Sequence, residues 1–230
     1  MTSPSASPGP SAALLSEPEL ALRIAAGDTS ALEALMRRYN RTLFRTARAI
    51  LRDDGEAEEA LQDAYLKVFR SIAQFRGDSK LSTWLVRIVA NEALMRRRKR
   101  ARSAEVVTLH ADRAGLELEA EQLMDLNDGP EKSAVRAQTR RLLEAKIDAL
   151  PDAFRTVFML RALEEFSVEE TAQALGIPEA TVRSRFFRAR GLLRESLSRE
   201  IDHAFDDAFG FDGARCDRVV ANVLSKLEKE

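Results

Sequence analysis

The chain holds a single cysteine, Cys216, and only two histidines, His110 and His203, in 230 residues. One thiol excludes an intrachain disulfide and a cysteine-based metal cluster. The histidines are remote from each other and lack the spacing of a ligand pair. No stretch approaches the roughly 18 apolar residues of a membrane span. The first residues, MTSPSASPGPSAA, lack a basic region followed by a long apolar run, so no secretory signal is expected there. Their Ser, Pro, Ala and Gly content predicts a disordered tail over 1–16 and, with the rest, a cytoplasmic protein. No P-loop, nucleophile motif or pocket-like pair of carboxylates is present, so no catalytic residue and no cofactor is expected. Nor is there an internal repeat.

What remains is rich in Ala, Leu, Arg and Glu. Charged residues make up 32 % of the chain and aromatic residues only 6 %, a balance that points to an all-α fold. The net charge of −1 is unlike that of a general DNA-coating protein, but the charge is segregated. Arg96, Arg97, Arg98, Lys99, Arg100 and Arg102 stand without an acid among them. Residues 105–131 then carry Glu105, Asp112, Glu117, Glu119, Glu121, Asp125, Asp128 and Glu131 against Arg113 alone.

Local signals divide the chain. A short helix over Glu19–Ala26 ends at Gly27, and Asp28 with Ser30-x-x-Glu33 opens a second that runs to about Leu51 with Leu32, Leu35, Leu43 and Ala47 inward. Asp53-Asp54-Gly55 breaks into a third, whose Leu61, Tyr65, Val68 and Ile72 form one stripe. The loop Phe75–Ser79 precedes a fourth from about Leu81 to Arg100, with Leu85, Ile88, Val89 and Ala93 inward. Together these predict a helical domain over 17–101. Residues 102–130 lack periodicity and end in Asn127-Asp128-Gly129-Pro130, which marks a flexible acidic linker. A second helical domain is expected over 131–200, with Leu142, Leu143, Ile147, Leu150, Phe154, Val157, Phe158 and Leu160 in its core. In the extension 201–230, Val219, Val220, Val223, Leu224 and Leu227 suggest a short amphipathic helix.

The sharpest pattern is SVEETAQALGIPEATVRSRFFRARGLLR, residues 167–194. Ser167-x-x-Glu170 is a capping box, Gly176 ends the helix it starts, and Pro178 begins another. This is a helix-turn-helix. Its second helix carries Arg183, Arg185, Arg188, Arg190 and Arg194 beside an apolar stripe of Val182, Phe186, Ala189 and Leu193. Off that stripe lie Arg183, Ser184, Phe187 and Arg188, a set suited to phosphates and base edges.

The order and spacing of these signals resemble bacterial sigma factors of the extracytoplasmic-function group, in the sigma-70 family. The resemblance rests on Gly27-Asp28, Ala31, Leu35 and Tyr39, then on Glu56–Asp63. It continues through Phe75–Ser79, Thr83-Trp84-Leu85 and Ile88-x-x-Asn91, and ends with Leu150-Pro151, Leu175-Gly176, Thr181–Arg185 and Arg188-Ala189-Arg190. It implies that Glu59, Gln62 and Asp63 dock on a basic coiled coil of core RNA polymerase. It implies that Phe75, Arg76, Gly77, Asp78, Ser79, Trp84 and Asn91 read the promoter element nearest the start site and capture an unstacked base. Arg96, Arg97 and Arg98 would then follow the backbone, and Thr181, Arg183, Ser184, Phe187 and Arg188 would read the farther element. An anti-sigma factor is the implied inhibitor, and a monomer the free state. Trp84-Leu85 replaces the two adjacent tryptophans of primary sigma factors, which implies weaker intrinsic melting. A free-standing helix-turn-helix regulator would leave 53–91 unexplained. A nuclease or recombinase would need an acid cluster or an oriented nucleophile that the sequence does not offer.

Overall fold

A computed structural model describes residues 15–107, 130–206 and 213–227. The expected tail up to residue 14, most of the acidic linker with His110, and the Phe209–Phe211 segment lie outside the described residues. Secondary structure among the described residues is helical throughout: α1 Glu17–Ala25, α2 Thr29–Leu51, α3 Asp54–Ser71, α4 Leu81–Val107, α5 Pro130–Asp148, α6 Asp152–Phe158, α7 Val168–Leu175, α8 Glu179–Asp206 and α9 Gly213–Leu227. A 3-10 turn, Ile72–Gln74, follows α3, and a π turn, Met159–Leu163, follows α6.

The chain divides into two compact units, residues 1–190 and 191–230. In the first, α2 packs along α4 and α3, which also pack on each other. The stripes expected from periodicity face inward: Leu35, Leu43 and Ala47 of α2, Tyr65, Val68 and Ile72 after them, and Leu85, Val89 and Ala93 of α4 are buried. Each fully buried Leu stabilises by about 2 kcal/mol relative to an exposed one. Leu160, Phe166 and Ala174 belong to the same apolar cluster, so the later helices of this unit share the core of the earlier ones.

Caps fix the helix starts. Asp28, not Ser30, caps α2: its carboxylate accepts from the amides of Ser30 and Ala31 and from the Ser30 hydroxyl. Those bonds hold the Asp28 carboxyl far below the usual carboxylate range, the Ser30 hydroxyl contributing most. Glu17 accepts from the Tyr39 hydroxyl at 2.6 Å and from the Leu81 amide at 3.0 Å, so one side chain ties α1 to α2 and caps α4. Helix α4 runs past the expected Arg100 to Val107, because Ala, Arg and Glu, which supply four of the added residues, are good helix formers.

One core expectation is corrected. Leu143 is 42 % exposed, while the charged Arg155 is fully buried. Helix α5 turns that side chain to solvent, and the interior space beside its C-terminus is filled by the guanidinium instead.

Gly176 closes α7 at φ +63°, with its amide bonded to the Ala172 carbonyl. A Cβ there would meet nothing within 4 Å, so only backbone strain opposes a side chain. Gly176→Ala should therefore cost about 1 kcal/mol in chemical denaturation. An unchanged midpoint would show that the turn relaxes without cost.

In the second unit, α9 exposes Val219, Val220 and Leu224. The side chains of Cys216, Val223 and Leu227, named from the sequence, lie outside the described residues.

Candidate nucleic-acid interface

The helix-turn-helix forms as its local signals predict. Ser167 accepts from the Glu170 amide at 3.0 Å while Glu170 accepts from the Ser167 amide at 2.6 Å. Lys80 also donates to Glu170, and that bond, ahead of the Ser167 amide, holds the Glu170 carboxyl below its ordinary range. Along α8, Val182, Ala189 and Leu193 are buried. Phe186 is held in place by Phe158, stacked at 6.2 Å, and by the guanidinium groups of Arg161 and Arg190 over its ring at 5.4 and 5.8 Å. With the stripe turned inward, Arg183, Ser184, Phe187 and Arg188 emerge on the exposed side. Phe187 is 79 % exposed. Thr181 is half-buried, and its carbonyl accepts the Ser184 hydroxyl. Arg183 pairs with Glu179, one turn back.

The second candidate surface is the loop before α4 and the outer face of that helix. Arg76, Gly77 and Asp78 are exposed and Ser79 is half-buried. Gly77, at φ +77°, makes the turn. Phe75 and Trp84 are partly buried and pack against the core, their rings 5.6 Å apart and tilted by 54°. Trp84 is thus packed as part of the core's edge rather than standing free in solvent. Asn91 is exposed at an open cavity of about 510 Å³, which it lines with Ile88, Lys67, Arg70, Ser71 and Gln74. The last four come from α3 and its 3-10 turn and were not singled out from the sequence. Beside the cavity, Lys67 pairs with the buried carboxylate of Glu92.

The third surface is the acidic face of α3. Glu59 and Gln62 are exposed and Asp63 half-exposed, on one side of the helix. The basic run does not stand apart from them. Arg96 donates to Glu59 at 2.7 Å and to Asp63, and Arg100 donates to Glu56 at 3.0 Å. The Asp63 bond first, then that of Glu59, keeps the Arg96 guanidinium above its ordinary range. Arg97 is drawn to Asp152 at 2.7 Å, and Arg98 is exposed. So the three arginines expected to follow DNA together do three different things. Leu66 and Phe69, 55 % and 38 % exposed, extend the α3 face with apolar surface. Their signal in the sequence was position: both lie off the stripe of Leu61, Tyr65, Val68 and Ile72.

Among the described residues no group of three His, Cys, Asp or Glu side chains could hold a metal ion, and no helix is long and apolar enough to cross a membrane.

The family models for Sigma-70 region 2 and Sigma-70, region 4 match residues 35–103 and 140–193. The RNA polymerase sigma-H factor of Pseudomonas aeruginosa is 31 % identical over 182 residues, covering 78 % of this chain and 92 % of its own. The ECF RNA polymerase sigma-E factor of Haemophilus influenzae is 32 % identical over 187 residues, or 80 % and 96 % of the two chains. That of Escherichia coli K12 is 32 % identical over 179 residues, or 76 % and 91 %. The fold is similar to that of the sigma factor RpoE, solved with the anti-sigma factor NepR from Bartonella quintana. That match has a TM-score of 0.56 at 23 % identity, over 72 % of this chain and 96 % of that one. It is also similar to CnrH, solved with the cytosolic domain of CnrY, with a TM-score of 0.53 at 22 % identity, over 78 % and 96 %.

Proposed function

Because the chain belongs to the extracytoplasmic-function sigma factors of the sigma-70 family, we propose that it uses these three surfaces to bring core RNA polymerase to a two-part promoter. The acidic face of α3 with Leu66 and Phe69 docks on a basic coiled coil of the polymerase, where charge complementarity sets orientation and encounter rate. The loop Phe75–Ser79 and Asn91 read the element nearest the start site. An unstacked base enters the cavity beside Asn91, whose amide can both donate to and accept from a base edge. Lys67 and Arg70 line that cavity and supply cations for the adjoining phosphates. The exposed face of α8 reads the upstream element. The nucleotidyl-transfer chemistry belongs to the polymerase; this chain is not an enzyme and acts in the cytoplasm. RpoE of Bartonella quintana was solved with an anti-sigma factor, NepR, and an inhibitor of that kind is the expected regulator here.

The observation that carries the reading is Phe187, a large ring left in solvent between two arginines on the second helix of a helix-turn-helix. A core residue would be covered; a ring that packs on thymine methyl groups must be free. Run-off transcription on genomic fragments, with core polymerase and with or without this chain, tests it. Transcripts sharing two upstream motifs are expected, and Phe187→Ala should reduce them about tenfold, the worth of one base contact. Tight duplex binding by the chain alone, with no stimulation of polymerase, would instead identify a free-standing regulator.

A further inference from the structure

Helices α3 and α4 are joined along their outer edge by a ladder of ion pairs whose polarity inverts at one rung. Glu56 pairs with Arg100, Glu59 and Asp63 both pair with Arg96, and Lys67 pairs with Glu92. The rungs advance along α3 as they retreat along α4, about one helical turn at a time. In the pairs of Arg96 and Arg100 the acid stands on α3 and the arginine on α4. In the last rung the cation is on α3 and the acid on α4, and Lys67 there lines the cavity beside Asn91.

The inverted rung also differs in burial. The side chains of Glu56, Asp63 and Glu59 are 33, 47 and 67 % exposed, whereas that of Glu92 is 3 % exposed. Glu92 follows Leu85 by seven residues and Val89 by three, and it precedes Ala93, all of them buried. It therefore occupies the inward stripe of α4, where an apolar side chain is the usual choice. Stability does not explain a carboxylate there, because an apolar residue of similar volume holds a core as well as half of a buried ion pair or better. What the carboxylate does is hold Lys67. A lysine ammonium sits on a flexible four-carbon stem and, left free, sweeps a wide volume. The bond to Glu92 fixes it at the cavity, and an ammonium with three protons keeps two for another acceptor. The pair is neutral, so what it offers an incoming nucleotide is a fixed donor more than net charge.

We propose that Glu92 is a positioning residue for strand opening: it holds the Lys67 ammonium at the cavity, set to donate to an acceptor atom of the nucleotide that leaves the stack. The inference rests on the sigma-factor reading and gives a role to a residue that makes no DNA contact of its own. Unstacking is costly, and ordering a lysine at the same moment would add to that cost. Here the ordering is complete before DNA arrives.

The test follows promoter opening by core polymerase with the full chain, read from 2-aminopurine placed in the near element of a promoter found by run-off transcription. Varying the polymerase concentration separates the half-saturating concentration from the maximal rate. Glu92→Met fills the stripe and releases Lys67 to solvent. Its maximal rate should fall about tenfold, the worth of one nucleotide contact. Its half-saturating concentration should be unchanged or lower, because an acid has been removed from beside DNA. Charge alone predicts faster opening, and a merely structural role predicts losses in both parameters with a lower urea midpoint. Either outcome, or wild-type kinetics, would overturn the assignment. Lys67→Met with Glu92→Met leaves the net charge unchanged and should match Glu92→Met to within about twofold. A further tenfold or so of loss would overturn it too, by showing that Lys67 acts without Glu92. Should Glu92→Met not fold, Glu92→Gln keeps the shape but accepts a weaker bond, and its maximal rate should fall several-fold; a wild-type rate there would then overturn the assignment. If the wild-type chain opens no promoter, the sigma-factor reading itself fails and this one with it. Opening by the wild type with no change in the variants removes Glu92 alone.

Discussion

Replacing Glu59 and Asp63 together by lysine should lower promoter-specific transcription about 100-fold or more, with polymerase binding lost in a pull-down. The size follows from the geometry of the acidic face. Arg96 already sits between the two carboxylates and Arg100 lies next to Glu56, so the face is acidic only because the acids outnumber their partners there. Two lysines would surround Arg96 with like charge and present a net basic surface to a basic coiled coil. Like charges forced together at an interface cost several kcal/mol, and about 2.8 kcal/mol is already 100-fold. The folded chain should lose little, because the Glu59 and Asp63 side chains are 67 % and 47 % exposed and ion pairs at such sites contribute no more than about 1 kcal/mol. The discriminating comparison is therefore thermal unfolding beside the pull-down. A variant that still binds polymerase, or one that loses binding only because it has unfolded, would remove the α3 face from the docking surface.

The features legible in the sequence are those decided within one or two helical turns. Ser167, Glu170, Gly176 and Pro178 specify the turn of the helix-turn-helix through bonds that reach at most four residues, and those bonds are present. The apolar stripes of α2, α3 and α4 were equally visible because burial follows a period of 3.6. Even locally there is competition: Ser30 looked like part of the cap, but the carboxylate two residues earlier takes the amides of Ser30 and Ala31 and the Ser30 hydroxyl as well. What could not be read is pairing between distant segments. Arg96 looked like a free cation in a basic run; its partners lie 37 and 33 residues away. Arg97 belongs to an acid 55 residues on. A charge run shows how much charge a helix carries and not which neighbour neutralises it. Leu143 and Arg155 exchange the places their hydropathy assigns, because two helix ends meet where Arg155 stands.

That meeting makes Arg155→Ala the most destabilising single change expected in the molecule. A helix leaves its last four carbonyls without partners and ends in partial negative charge. Helix α2 ends at Leu51 and α5 at Asp148, and the Arg155 guanidinium reaches both. Its Nε donates to the Ala49 carbonyl, and Nη1 donates to the carbonyls of Asp148 and Leu150 at 3.2 and 3.0 Å. Its Nη2 donates to Asp152 at 2.9 Å. Burial works against the charge and, with Arg52 nearby, pulls the guanidinium below its ordinary range. The carbonyls outweigh that penalty, since each buried acceptor stripped of its donor costs about 1–3 kcal/mol. Leu150 would keep Arg52 as a donor, leaving Ala49 and Asp148 exposed to the loss. A total of about 3 kcal/mol is expected, before any term for the cavity left by the side chain. Arg155→Lys should recover less than half of it, because a single ammonium cannot reproduce the planar fork that bridges two helix ends. Urea unfolding of the three chains measures both effects. A loss below about 0.5 kcal/mol in the alanine variant would mean that water satisfies those carbonyls and that Arg155 does not join the two helix ends.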